Sequence, residues 1–168
     1  MVARELADGV GLPLLEKDGI KELLFDTLGA RDRTWSRTVG AAAFALLFDG
    51  ARRILSAGSS CVFEANFAGD IAERELMQLP TGRFLQLYVA ATPELLVARF
   101  RARASSDARH TGHADVAALP EVEKGLVEGR WRPLELPDDG SISTRRSLST
   151  SGSSFRSCAP SSATDNGP

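Results

Sequence analysis

Apolar and polar positions fall into short blocks along the first 136 residues, and their spacing switches repeatedly between helical and strand periods. Val2, Ala3 and Leu6 share one side of a helix predicted over residues 2–8, with Gly9 and Gly11 as stop signals beyond it. No Ser, Thr, Asp or Asn precedes that helix as a cap, so the chain is expected to open inside it. Residues 12–15, Leu-Pro-Leu-Leu, then make a short apolar run that ends in Glu16, Lys17 and Asp18, the pattern of a strand with polar residues at its carboxyl end. A short amphipathic helix over 19–28 closes at Gly29, and a long one over 35–56 closes at Gly58; the alanine-rich stretch 41–45 lets the latter pack closely. Further along, 60–63 and 84–91 read as strands and 71–79 and 93–104 as helices, the last with Pro93 in its first turn, where the fixed φ of proline suits a helix start.

Strands alternating with helices predict parallel βα units, hence an α/β protein. In open parallel sheets ligands bind beyond the carboxyl ends of the strands. Three places therefore stand out as candidate chemistry: Glu16-Lys17-Asp18, Glu64-Ala65-Asn66-Phe67, and the arginine-rich run from Arg99 to His113. Beyond Pro137 the periodicity stops, and ten serines fall between Ser141 and Ser162 with almost no large apolar residues. Such a segment cannot bury enough surface to offset its ordering entropy, so residues 1–136 are expected to form the domain and 137–168 a disordered tail.

Composition narrows the field. At 168 residues there is room for one domain with a sizeable core. A net charge of −2 lacks the basic excess that neutralises nucleic-acid phosphates, which argues against nucleic acid as a partner. The longest apolar stretch, residues 39–48, is well short of the ~20 residues a membrane span needs, and the first 15 residues carry no cleavage signature. Two cysteines, Cys61 in an apolar run and Cys158 in the tail, imply no disulfide framework, and a cytoplasmic location is expected. Basic residues are mostly arginine, with lysine only at 17, 21 and 124, which suggests a GC-rich gene and makes a frameshift one origin for the Arg- and Ser-rich tail.

The segments Leu12-Pro13-Leu14-Leu15-Glu16-Lys17-Asp18-Gly19-Ile20-Lys21-Glu22, Val62-Phe63-Glu64-Ala65-Asn66-Phe67, and Arg99 through Arg109-His110-Thr111-Gly112-His113 together resemble the P-loop small-molecule kinases of the AAA-like, zeta-toxin and chloramphenicol-phosphotransferase-like group. The resemblance spans roughly residues 2–133. It implies a three-layer fold with five parallel strands between flanking helices, ATP and Mg²⁺ as cofactors, and transfer of the terminal phosphate to the hydroxyl of a small-molecule substrate.

By position in that family, Asp18 would accept or orient the proton of the substrate hydroxyl, a role that suits a carboxylate because phosphoryl transfer mainly needs its nucleophile aimed. Asp18 could equally cap the helix expected to start at Gly19. Glu64 would hold Mg²⁺ through water, or be a solvent-facing strand end; Lys17 would touch substrate, and Asn66 would touch substrate or fix the turn after the strand. The resemblance places Arg99, Arg103 and Arg109 in a lid over the phosphates, where guanidinium forks contact phosphate oxygens in pairs; the alternative is a solvated basic helix. Arg99 and Arg103, four apart, share a helical face. His110 would sit near substrate in a lid loop hinged at Gly112, because H-x-x-H with Asp115 nearby is a weak metal signal. Trp35 and Trp131 read as packing residues and Cys61 as an inert core thiol.

The motif G-x-x-x-x-G-K-[ST], whose backbone N–H groups and lysine cradle phosphates, matches nowhere in the chain. Aligned on residues 12–18 it should end just before Val2, together with a first strand that the family places between the strands at 60–63 and 84–91. The family's fifth strand, after Pro133, is likewise expected to be missing. The chain alone is therefore expected to be inactive, as a fragment of a kinase, with a non-catalytic binding module or a degraded gene product as alternatives.

Overall fold

Helix α1 spans Val2–Val10, and Gly11, at φ 66°, reverses the chain so that Leu12 N–H reaches back to Ala7 O at 3.0 Å. A left-handed glycine is the usual way to stop a helix, because a Cβ would strain that backbone. In the computed structural model, which describes residues 2–106 and 109–136 together with the backbone of 142–147, the chain then enters β1, Leu14–Glu16, and passes without a loop into α2, Lys17–Leu28. Gly29, at φ 82°, closes α2 with a bond from its N–H to Phe25 O. Helix α3, Arg33–Ser56, starts with the Asp32 carboxylate accepting from Trp35 N–H at 2.8 Å.

Val39, Ala43, Leu47 and Ala51 recur every four residues along α3 and are all buried, with Phe48 beside them, so this helix carries the core. The small residues bring it close to β1: a Cβ on Gly50 would lie 3.3 Å from Leu15 Cδ1. Strand β2, Val62–Glu64, pairs parallel with β1 in the register Leu14–Val62, Leu15–Phe63, Glu16–Glu64. Phe44, Phe48, Phe63 and Phe67 meet between α3 and β2 with ring centroids 5.0–6.3 Å apart. Helix α4, Gly69–Leu76, adds Ala72 and Leu76 to the buried set, and Leu79 follows it there.

Strand β3, Leu85–Ala90, lies in a second parallel sheet with β4, Ile142–Ser147. Gln86 ties β3 to the segment before β4, donating to Leu134 O at 3.0 Å and accepting from Leu134 N–H at 2.7 Å, while the Tyr88 hydroxyl donates to Trp131 O. Helix α5, Pro93–Ala104, is capped by Thr92 and packs with α6, Asp115–Val127, through an Arg101–Glu123 ion pair of 2.7 Å. A 3₁₀ turn at Thr111–His113 and left-handed Ala114 lead into α6. Among the described residues no helix is long and apolar enough to cross a membrane.

The alternation of strands and helices is thus mixed α/β with parallel pairing. β1–β2 and β3–β4 are separate two-stranded sheets, and β2 and β3 do not pair with each other. Within the segment expected to be disordered and to hold no strand after Pro133, residues 142–147 form β4 parallel to β3, because the open edge of β3 offers a full row of backbone partners; the rest of 137–168 lies outside the described residues. Helix α2 begins two residues earlier than its spacing predicts, with Glu16 at the cap position and no side chain capping it, so Asp18 is not the cap. Trp35 donates its indole N–H to Gly29 O, and Trp131 packs on Gly125 while also bordering a cavity. Burial raises the half-buried Cys61 thiol above its ordinary value, as an inert thiol requires.

Candidate functional site

The register of β1 with β2 brings Glu16 opposite Glu64, so the residues after each strand emerge side by side. Lys17 and Asp18, in the first turn of α2, there meet Asn66: Lys17 Nζ donates to Asn66 Oδ1 at 2.8 Å and lies 3.4 Å from Asp18 Oδ1. A cavity of about 400 Å³ opens at this end of the strands. Its floor is the start of α2 and the residues after β2, one wall is α3 through Arg33, Ser36 and Arg37, and the other wall comes from Arg103, Arg109 and Asp115.

Arg109 is the hub of the second wall. Its Nε donates to Asp115 Oδ2 at 2.8 Å, its Nη1 donates to Asp18 Oδ2 at 3.2 Å and stands 3.5 Å from Glu22 Oε1. Burial by itself would raise the Asp18 carboxyl, but the Lys17 and Arg109 charges outweigh it and hold the group below its usual range, so Asp18 is ionised. For Arg109 burial works against the charge, and the bonds to Asp115 and Asp18 more than restore it. Arg103 Nε stands 3.9 Å from the same Asp115 oxygen, with its guanidinium over the Phe100 ring.

Glu64 behaves oppositely to Asp18. Burial and then the neighbouring Asp18 and Glu16 carboxylates push its pKa up. Glu16 itself accepts from Arg4 at 2.7 Å through Oε2, while its buried Oε1 has no hydrogen-bond partner among the described residues. On the far side Lys21, 6% exposed, donates to Ser36 Oγ at 3.1 Å, and Ser36 in turn donates to the His113 carbonyl at 3.0 Å. Burial depresses the His113 imidazole, opposed by its 2.9 Å bond to Glu22 Oε1.

Six of the residues singled out from sequence, Lys17, Asp18, Glu64, Asn66, Arg103 and Arg109, line this one cavity. Arg99 does not: it shares a face with Arg103 but sits a turn further from the cleft and is exposed. Residues 107 and 108 of the expected lid run lie outside the described residues. His110 is turned to a neighbouring cavity, stacked on Phe25 at 5.4 Å with Nδ1 accepting from Gly112 N–H and Nε2 3.2 Å from Asp26. Gly112 is not a free hinge but is buried against Phe25. Among the described residues no group of three or more His, Cys, Asp or Glu could hold a metal ion.

The sequence reading gave no role to Lys21, Ser36, Glu22 or the Arg33–Glu121 pair, which meets at 2.7 Å on the rim. One signal was present: Lys21 lies four residues after Lys17, on the same face of α2. The others are brought in by long-range packing of α3 and the 3₁₀ turn onto α2.

No family model matches the chain, and no curated protein does. Among solved structures it is similar to a protein from Chloroflexus aurantiacus J-10-fl described as "a putative kinase", with a TM-score of 0.67 and 32% identity, covering 85% of this chain and 78% of that one. With that identity maintained over most of both chains, this protein belongs to the same family as the Chloroflexus protein and has a kinase-like α/β fold.

Proposed function

We propose that this chain provides the acceptor and lid side of a P-loop-type small-molecule kinase, which in complete form moves the ATP γ-phosphoryl group, with Mg²⁺, to a hydroxyl. The observation that carries the reading is the meeting of Asp18 and Arg109, 91 residues apart, in a cleft at the carboxyl ends of β1 and β2. An ionised Asp18 can accept a hydrogen bond from a substrate hydroxyl and aim its oxygen, and Lys17 and Asn66 hold that carboxylate's surroundings in place.

Mg²⁺ usually takes only one or two carboxylates and keeps several waters. Glu64 fits that demand, since a half-buried carboxyl crowded by Asp18 and Glu16 is stabilised by an added cation. ATP does not fit in the same way. The 168-residue sequence has no glycine-rich phosphate loop, and Arg109 is committed to Asp115 and Asp18, so no step is assigned to a bound nucleotide and the chain alone is proposed to be inactive. A second reading, a binding module that uses the same cleft without transfer, rests on the Asp18–Arg109 meeting alone.

Two measurements test the proposal. Calorimetric titration with Mg-ATP should give a dissociation constant of ~1 mM or weaker, about −4 kcal/mol; low-micromolar affinity would overturn the assignment of a missing nucleotide grip. A ligand-observed NMR screen of hydroxyl-bearing metabolites should yield ligands whose binding weakens about tenfold in Asp18→Asn, the loss of one charge-assisted hydrogen bond. Hits that bind wild type and Asp18→Asn alike would sink the acceptor role.

A further inference from the structure

The described lining of the cleft holds seven Lys and Arg side chains against four Asp and Glu, an excess of three positive charges. Three of the four carboxylates are already partnered, Asp18 by Lys17 and Arg109, Asp115 by Arg109 and Arg103, and Glu121 by Arg33 and Arg37, while burial disfavours the charge of the fourth, Glu64. Lys21 is different. It is the most buried cation of the cleft, and its Nζ has the Ser36 hydroxyl as hydrogen-bond partner and the Phe25 ring at 5.4 Å, with no carboxylate within 4 Å among the described residues.

Burying an ammonium without a counter-charge is costly, and a neutral donor would join Ser36 to α2 equally well. A lysine in that position is accounted for when a negative group arrives beside it. We propose that Lys21, held in place by the Ser36 hydroxyl that accepts from it, forms a subsite for a phosphate-ester group carried by the acceptor molecule, with Arg33 and Arg37, which share Glu121, adding positive charge beside it. The acceptor is then a small hydroxyl compound that is already phosphorylated, held by its anionic end at α3 while its hydroxyl reaches Asp18. This assignment rests on the kinase-type reading for the word acceptor, and on the cleft alone for the anion.

Charge supports it in a way that can be read directly. Burial first, then the Lys17 charge, lowers Lys21 to a pKa of about 8. Asp18 and Asp115 oppose that shift, Arg33 adds to it, and His113 faces the same group from the 3₁₀ turn. An anion bound to the ammonium must raise the value, so anion affinity is fully present below about pH 8 and is lost as pH rises above it.

The sequence contains three lysines, so a chain labelled with ¹³C,¹⁵N-lysine reports Lys21 beside Lys17 and the exposed Lys124 as internal reference. Titrated by NMR with millimolar methyl phosphate and no ATP, the Lys21 midpoint is expected to rise by about one unit, a tenfold preference of the anion for the charged amine, with Lys124 unmoved. A Lys21 midpoint that stays put, or a shift confined to Lys17, would overturn the subsite. A shift with inorganic phosphate that methyl phosphate does not reproduce would overturn the acceptor assignment and leave a free-phosphate site. Because the readout involves neither nucleotide nor transfer, it is independent of the kinase reading: a failed anion site leaves a neutral acceptor possible, and a failed nucleotide test leaves this result intact.

Discussion

Arg109 donates from Nη1 to Asp18 Oδ2 at 3.2 Å and, through Nε, to Asp115 Oδ2 at 2.8 Å, so one guanidinium joins the first turns of α2 and α6. Each carboxylate also sits at a helix N-terminus, where a negative charge is favoured. The Arg109 side chain is 14% exposed, which strengthens its attraction to both. The wall of the cleft is therefore held by charge rather than by apolar packing, and its shape depends on a residue that the sequence assigned to a lid.

Removing that guanidinium leaves Asp115, whose side chain is 9% exposed, with Arg103 at 3.9 Å as its remaining ion-pair partner among the described residues. Arg109→Ala is expected to cost about 2 kcal/mol in urea unfolding, the penalty for stranding a nearly buried carboxylate. The Arg109 charge also lowers His113, so the variant should raise the His113 midpoint observed by NMR. Wild-type stability in Arg109→Ala would mean that the three ion pairs contribute nothing to the wall.

Gly112 supplies a second prediction, because a Cβ built there would lie 2.5 Å from Phe25 Cδ2 and 2.6 Å from Cγ. Phe25 is 2% exposed and carries His110 stacked on it, so the ring has nowhere to retreat. Gly112→Ala should destabilise by about 2 kcal/mol through overpacking, read as a lower thermal midpoint by circular dichroism. A hinge would predict an unchanged midpoint, since alanine in open space meets nothing.

These two residues also show what the sequence can and cannot disclose. The run Thr92-Pro93 carries a cap and a fixed φ, and helix α5 has the predicted bounds; Glu16 provides no such mark, and α2 starts two residues early. Helix α6 was not anticipated because Pro120 interrupts its pattern and Ala114, not glycine, takes the left-handed turn before it. Strand ends were informative: Lys17, Asp18, Glu64 and Asn66 all face the cleft. Helical phase put Arg99 and Arg103 on one side of α5, but how far along that face the cavity reaches is set by the contact with α6, which no local pattern encodes. Lys21 and Ser36 meet only because α2 packs on α3.

Glu64 gives the pH-dependent prediction. Burial, then Asp18 and Glu16, raise its folded pKa above the unfolded value, so the native state holds the proton more tightly than the unfolded chain. Its contribution to stability is therefore complete below the ordinary glutamate value of 4.5 and is lost as pH rises through the raised folded value, the reverse of Asp18 and Glu121, which are lowered. Glu64→Gln removes this loss. Thermal melts at pH 5, 6, 7 and 8 should show the variant gaining on wild type as pH rises, with solvent in the open cleft limiting the gain to about 0.5 kcal/mol. Added Mg²⁺ should narrow the gap by stabilising the wild-type carboxylate, and should leave the variant unmoved. A gap that shrinks as pH rises would show that Glu64 is stabilised when ionised, and would remove the reason for placing a cation beside it.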